Sequence, residues 1–228
     1  MFKALCNPER FANFGSFTPL EVNTKEGTVF HPGPTAPQAY YFENRIRLLD
    51  MLWQCIAKAI PGRLPAGSFA SIFGTVIAGT HPDTGRKYTL VEPQMGGWGS
   101  TDERDGLDAM FSPNHGDTFN CPVEICEARY GLNVIHKRLV ERERVLTGHS
   151  GGQGVSVLYE ARASASLSVG YKRGKVPVWS LNDQPPGGTN AMTIRRASGE
   201  QERHQFASGV MLGPKDRVLI ETAHGGNA

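Results

Sequence analysis

The sequence has almost no surplus of charge: 24 Lys and Arg stand against 22 Asp and Glu, leaving +2. That excludes the basic footprint by which nucleic-acid readers neutralise phosphates. No apolar run approaches the eighteen or so residues that a bilayer span needs, and the N-terminus lacks the charged, apolar and small-residue order of a signal peptide. A cytoplasmic protein is therefore expected. Cysteine is scarce. Cys6, Cys55, Cys121 and Cys126 are scattered along the chain, so reduced thiols are expected, and Cys121 with Cys126 lacks the second close pair that a structural zinc site uses.

What the sequence has in quantity is 27 Gly and 15 Pro among 228 residues, a composition of turns and short strands rather than of a helical bundle. The strongest helical signal covers Gln38 to Ile60. There Phe42, Ile46, Leu49, Trp53, Ile56 and Ile60 make one stripe, Leu48, Leu52, Cys55 and Ala59 widen it, and Pro61-Gly62 ends it. So wide an apolar face predicts burial on more than one side. Before it, Phe11 to Val22 reads as a short β-like segment and Asn23 to Pro37 as a loop.

After Ser68 the pattern changes to alternating or β-branched runs. Phe69 to Ala78 and Lys87 to Glu92, joined by His81-Pro-Asp-Thr-Gly85, predict a hairpin. Val134 to Leu146 and Gly154 to Tyr171 read as longer strands, and Met192 to Arg196, Glu202 to Phe206 and Arg217 to Glu221 as shorter ones. The expected fold is α+β, mostly antiparallel sheet with one long buried helix near the N-terminus. It is read as a single domain over 1–228, divisible into sub-lobes over 1–130 and 131–228. The basic stretch His136 to Arg144, interrupted by Glu141 and Glu143, suits a solvated strand or ion-pair ladder.

Several clusters could carry chemistry. Gly96-Gly-Trp-Gly99 lets backbone N–H groups approach a ligand, or is a plain tight turn, since no P-loop frame surrounds it. Gly148-His-Ser-Gly-Gly152 has the spacing of a nucleophile elbow around Ser150, but its flanks read as strand, turn, strand. Asp105, Glu124 and Glu127 are the candidate acids; beside another carboxylate such a group can act as a base next to a carbonyl. The alternative is that they anchor loop N–H groups. His115 and Asn120 could orient a substrate oxygen.

In order along the chain, Gly96-Gly-Trp-Gly99 with Asp105-Gly106, Asn120-Cys-Pro-Val-Glu124 with Glu127 and Tyr130, and Ser150-Gly-Gly-Gln-Gly154 resemble the signature of the hydantoinase B, oxoprolinase and ketone carboxylase alpha-subunit family. Val176-Pro-Val-Trp179, Pro186-Gly-Gly188, Gly213 to Val218 and His224-Gly-Gly226 are similar to its closing strands. The resemblance is to the C-terminal part of the family, so the N-terminal part is expected on a separate polypeptide. That part carries the family's Asn-Asp-Pro and His-His-x-Asp metal signatures, neither of which occurs here, and no metal is assigned to this chain. Val155-Ser-Val-Leu158 stands where many relatives have Arg-Gly-Gly.

The resemblance implies a subunit of an ATP-dependent ketone carboxylase, with a cyclic amide hydrolase such as a hydantoinase or oxoprolinase as the alternative, or a non-catalytic scaffold lobe of either. It implies as partners a subunit bearing the rest of the fold, a hydantoinase A-like ATPase holding ATP with Mg²⁺, and a small ketone or cyclic amide substrate. A divalent metal would also belong to the partners. On this chain it points to Asp105, Glu124 and Glu127 for catalysis, and to Gly96, Gly97, His115, Asn120, Ser150, Gly151 and Gly152 for substrate.

Overall fold

A computed structural model describes residues 9–38, 40–112 and 118–228. His115 and Cys6 lie outside them.

The turn at His81–Gly85 closes on itself. Gly85, at a φ of 67°, donates to the His81 carbonyl, and the His81 N–H reaches back to Arg86, so the flanking runs must pair. They form β1 (Gly74–Thr80) and β2 (Lys87–Pro93), antiparallel from Gly74 opposite Pro93 to Thr80 opposite Lys87. Next comes a short helix, and then β3 (Leu132–Leu139), β4 (Val155–Ala161), β5 (Ala165–Gly170), β6 (Ala191–Arg195), β7 (Gln201–His204), β8 (Phe206–Leu212) and β9 (Arg217–Glu221). They make two sheets of antiparallel neighbours, one ordered β2-β1-β5-β8 and the other β3-β4-β9-β6-β7.

The stretch read as one strand from Gly154 to Tyr171 is two. Ala161 ends β4 in the five-stranded sheet, Arg162 to Ser164 cross over, and Ala165 opens β5 in the four-stranded one. Ile77, Leu90 and Leu167 from one sheet and Val157, Tyr159, Met192, Ile194 and Ile220 from the other belong to one buried cluster. The sheets therefore share a core. Phe73 and Tyr171 belong to the same cluster and stack flat, with ring centroids 4.3 Å apart.

Among the helices, α1 (Phe14–Phe17) stands where a β-like segment was expected; Asn13 caps it through the Ser16 N–H. The helix α2 (Tyr41–Ala57) is the predicted long one, begun by Tyr40 in a left-handed conformation. Only one of its faces is covered. Ile46 packs on Ala70 and Ile72, while Leu48, Met51 and Leu52 lie exposed, so the expected burial on more than one side is not met within these residues.

The covered face is partly charged. Glu43 Oε1 accepts from the Ser71 hydroxyl and from the N–H groups of Ile72 and Phe73, at 2.9, 2.7 and 3.2 Å. About two turns along, Asp50 meets the buried Arg173 guanidinium and accepts from Trp179 Nε1–H at 3.0 Å. The third helix, α3 (Val123–Arg129), starts at Pro122 and leads into β3.

Candidate functional site

The end of β9 and the start of β4 lie side by side, because the two strands pair from Glu221 opposite Ser156 onward. The glycine-rich stretches 222–228 and 150–154 therefore emerge together. Residues 222–228 are bonded unlike a strand, which has at most two neighbours. Ala223 accepts from Gly97, Gly225 donates to Gly152, Gly226 donates to Gly67 and accepts from Ser100, Asn227 accepts from Leu181, and Ala228 exchanges bonds with His149. The result is a bundle of extended backbones around one axial segment.

Glycine is obligatory there for the reason it is at a collagen axis: no Cβ fits. A Cβ on Gly97 would lie 1.9 Å from the Gly152 oxygen, and one on Gly152 1.9 Å from the Leu107 oxygen. For Gly151 the obstruction is the Gly225 oxygen, and for Gly96 it is the Phe69 ring. The stretch Gly96–Gly99, expected as a turn or an anion nest, is instead bonded to distant segments of the bundle, with Gly96 bridged to Met110.

Side chains lock the bundle. Asp105 accepts from the Ser150 N–H at 2.9 Å and from Arg144 at 2.6 Å, with His149 3.5 Å away. These contacts, the backbone bond first, hold its carboxyl below the usual aspartate range. It is a charged anchor more than a proton acceptor at neutral pH. Ser150 Oγ accepts from the Val145 N–H at 3.0 Å, and the chain after it runs on into β4, without the helix that a nucleophile elbow needs. Arg142, from the basic stretch read as a surface ladder, reaches inward to the Gly225 carbonyl at 3.2 Å and to Asn227 Oδ1 at 2.8 Å.

His224 Nδ1 accepts from the Gly154 N–H at 3.1 Å. Burial, reinforced by Arg142, pushes its pKa down from 6.5 to about 4. The unfolded chain takes up this proton from about pH 6.5 downward while the folded chain refuses it, so stability is unaffected above that value and falls steadily toward pH 4. Thermal unfolding scanned over that range should show a falling midpoint that flattens in His224→Asn; an unchanged pH slope in the variant would count against the assignment.

Between α2 and the bundle runs a cleft of about 200 Å³ bordered by Trp53, Trp98, Gly99, Asp105, Gly106 and Leu107. Among the described residues, Trp53 Nε1 is buried and meets no hydrogen-bond acceptor. The indole walls suit a small, mainly apolar ring.

The other predicted residues gather elsewhere. Asn120 and the acids of α3 lie by the edge where β2 faces β3 and β4. Glu127 Oε1 accepts from the Val134 N–H at 2.8 Å and ties α3 to β3. Glu124 is exposed in the first turn of α3. Asn120 Oδ1 accepts from Lys137 Nζ at 2.9 Å, which opens onto a network that sequence reasoning missed. Lys137 also bonds Glu92 Oε1 at 2.9 Å, the Cys121 N–H donates to the same oxygen, and Tyr159 donates to Glu92 Oε2 at 2.5 Å. Burial, with Glu92 beside it, raises the Tyr159 phenol well above its ordinary pKa, so it stays a donor. Burial likewise pushes the Cys126 thiol up to about 12, which makes it inert.

The acids and glycines singled out in the sequence thus fall into two groups, Asp105 with the glycine bundle and Asn120, Glu124 and Glu127 around α3. Among the described residues no three His, Cys, Asp or Glu side chains converge as a metal-ligand set. No described helix is long and apolar enough to cross a membrane.

This fold has known counterparts. It superposes on the ATP-dependent caprolactamase from Pseudomonas jessenii with a TM-score of 0.75 and 18% identity, over 99% of this chain and 41% of that one. On a nucleotide-free acetone carboxylase the TM-score is 0.63 at 15% identity, over 82% of this chain and 30% of that one. A curated relative, an uncharacterized protein of Methanocaldococcus jannaschii, is 28% identical over 182 residues, 79% of this chain and 31% of the relative. The chain spans less than half the length of each of these proteins. The family model described as Hydantoinase B/oxoprolinase matches residues 1–227. The chain therefore belongs to the Hydantoinase B/oxoprolinase family.

Proposed function

We propose that this chain is one lobe of an ATP-dependent enzyme that opens a cyclic amide. The observation that carries the reading is the extent of the likeness to the caprolactamase, 99% of the chain, set beside a family model whose name joins two cyclic-amide activities. An amide carbonyl is a weak electrophile; transfer of the γ-phosphoryl group to its oxygen, with release of ADP, activates the carbon, so that water adds. The ring nitrogen then leaves as the amine with the proton of the added water, and the acyl phosphate that remains is hydrolysed by a second water to the carboxylate and inorganic phosphate. The phosphoryl donor, ATP with Mg²⁺, would sit on a hydantoinase A-like partner, and the rest of the Hydantoinase B fold on a further segment or subunit. This lobe's part is to form one wall for the ring. Trp53 and Trp98 give an apolar surface, and the glycine bundle gives a rigid backbone on which the position of Asp105 and Gly106 is fixed. Asp105 and Glu127 act here as anchors.

A second reading is ketone carboxylation, in which the enolate oxygen of a ketone is phosphorylated and the carbon attacks activated bicarbonate. The likeness to acetone carboxylase over 82% of the chain favours it. Products separate the two. The assembly purified from its native source, given ATP with caprolactam, 5-oxoproline or hydantoin, should release the ring-opened acid in step with ADP. No ring opening, together with acid-stable label from bicarbonate and acetone or acetophenone, would transfer the assignment to the second reading.

A further inference from the structure

A larger cleft, of about 460 Å³, adjoins the one between Trp53 and Trp98. The two are divided by the same short stretches of chain: Leu64 and Asp102 border the larger cleft, and their chain neighbours Pro65 and Thr101 border the smaller. Its volume is that of a small-molecule site. Part of its lining is apolar, from the buried Ala57 and Trp179 with Leu64 and Leu181. The rest carries charge of both signs. Lys58 comes from the end of α2, with Gln54 one turn before it, and the acids Asp102 and Asp183 come from two loops. Those loops are held together. The Gln184 N–H donates to the Leu181 carbonyl at 2.9 Å and closes a turn whose central residues, Asn182 and Asp183, have φ of 50° and 56°, in the left-handed region that Asn and Asp tolerate. The Leu181 N–H anchors this turn on the carbonyl of Asn227 in the glycine bundle, and Asn182 Nδ2 donates to Asp102 Oδ1 at 3.1 Å. Lys58 and Asp183 are exposed, and among the described residues their side chains make no hydrogen bond or ion pair. A cation and an anion left open in one partly apolar cleft are complementary to a molecule that carries the reverse pair on a short hydrocarbon chain.

We infer that this cleft binds a short amino acid whose ammonium and carboxylate are separated by methylene groups, the ammonium at Asp183 and Asp102 and the carboxylate at Lys58. The inference rests on the cyclic-amide reading under Proposed function and extends it to the fate of the opened ring. Opening a lactam with water leaves one amine and one carboxylate on a single chain, and at neutral pH both are charged. The closed ring is uncharged and suits the indole walls. The opened one carries two charges that an apolar surface does not solvate, and the mixed-charge cleft stands next door. The larger cleft is therefore a station for the product, reached across the shared wall at Leu64 and Pro65.

Calorimetric titration of the purified chain tests this with 6-aminohexanoate, the acid that caprolactam opening would give, beside hexanoate and hexylamine, each of which lacks one of the two charges. The amino acid should bind about tenfold more tightly than either analogue. Lys58→Met, with the circular dichroism and melting of the parent, should remove its advantage over hexylamine, and Asp183→Asn much of its advantage over hexanoate. No binding of 6-aminohexanoate, equal affinity for the singly charged analogues, or parental affinity in both folded variants would overturn the site. Its failure is distinct from that of the activity: ATP-dependent ring opening by the assembly without this binding sinks only the product cleft, and binding without ring opening sinks only the activity.

Discussion

Gly97→Ala should be among the most damaging single methyl groups that can be added to the described residues of this chain. The new Cβ would stand 1.9 Å from the Gly152 carbonyl oxygen and 2.4 Å from the Gly225 nitrogen, and both obstacles are backbone. Overpacking a core usually costs about 1 to 3 kcal/mol because a side chain can swing aside. Here no side chain is in the way, and relief requires moving the segment that also bonds Gly67, Ser100 and Leu181. The cost should therefore exceed about 3 kcal/mol, a large part of the roughly 5 to 15 kcal/mol that holds an ordinary domain. Urea unfolding of the purified variant, or its loss from the soluble fraction, measures this. Gly33→Ala is the control, since nothing lies within 4 Å of its Cβ position and its φ is not in the left-handed range. If Gly97→Ala unfolds at the same urea concentration as the parent, the backbones do not approach as described.

The second large effect is expected at Asp50. Its carboxylate holds the buried Arg173, the partly covered Arg47 at 2.5 Å and the Trp179 indole at 3.0 Å. Burial alone would drive the Arg173 pKa down; even with Asp50 opposing, it stands near 10. Asp50→Ala leaves that guanidinium without its counter-charge in an apolar setting, which costs about 3 to 5 kcal/mol where such pairs have been broken. The loss would free α2 from the 171–179 stretch and so remove one wall of the Trp53–Trp98 cleft. Asp50→Leu/Arg173→Met, which removes both charges, should regain much of the loss. A double variant as unstable as the sum of the two single ones would show that the pair is not coupled.

Both predictions concern residues that differ sharply in how readable they were. The glycines were conspicuous, and their spacing carried the family resemblance, yet a run such as Gly96-Gly-Trp-Gly99 reads locally as a turn or an anion nest. Its bonding into the bundle depends on partners more than fifty and more than a hundred residues away, at Gly152 and Ala223, which local patterns do not encode. The hairpin around His81–Gly85 was legible because its turn chemistry and its strands are contiguous.

The inter-sheet network had a signal that went unused. Tyr88, Leu90 and Glu92 share one face of β2 by the two-residue period, so an acid pointed inward beside two buried side chains. An inward acid demands a partner, and Lys137 was hidden in a stretch whose mixed charges suggested solvent. At Asp50 the difficulty was of another kind. Helical periodicity ranks apolar residues, and α2 offers them on both sides, so the stripe alone could not say that the face with Glu43 and Asp50 turns inward. That choice is made by Ser71, Arg173 and Trp179. The β-like reading of Phe11 to Val22 failed because Asn13 caps a single helical turn, too short to show a period.

The central claim, that this chain is a working lobe of an ATP-dependent cyclic-amide enzyme, is tested most directly by leaving it out. The companion polypeptides are purified with and without the chain, and ATP hydrolysis is followed as caprolactam, 5-oxoproline or hydantoin is added. Amide-stimulated hydrolysis that is absent without the chain and restored on adding it back is the predicted result. Equal stimulation in its absence, or none in the complete assembly, would contradict the account.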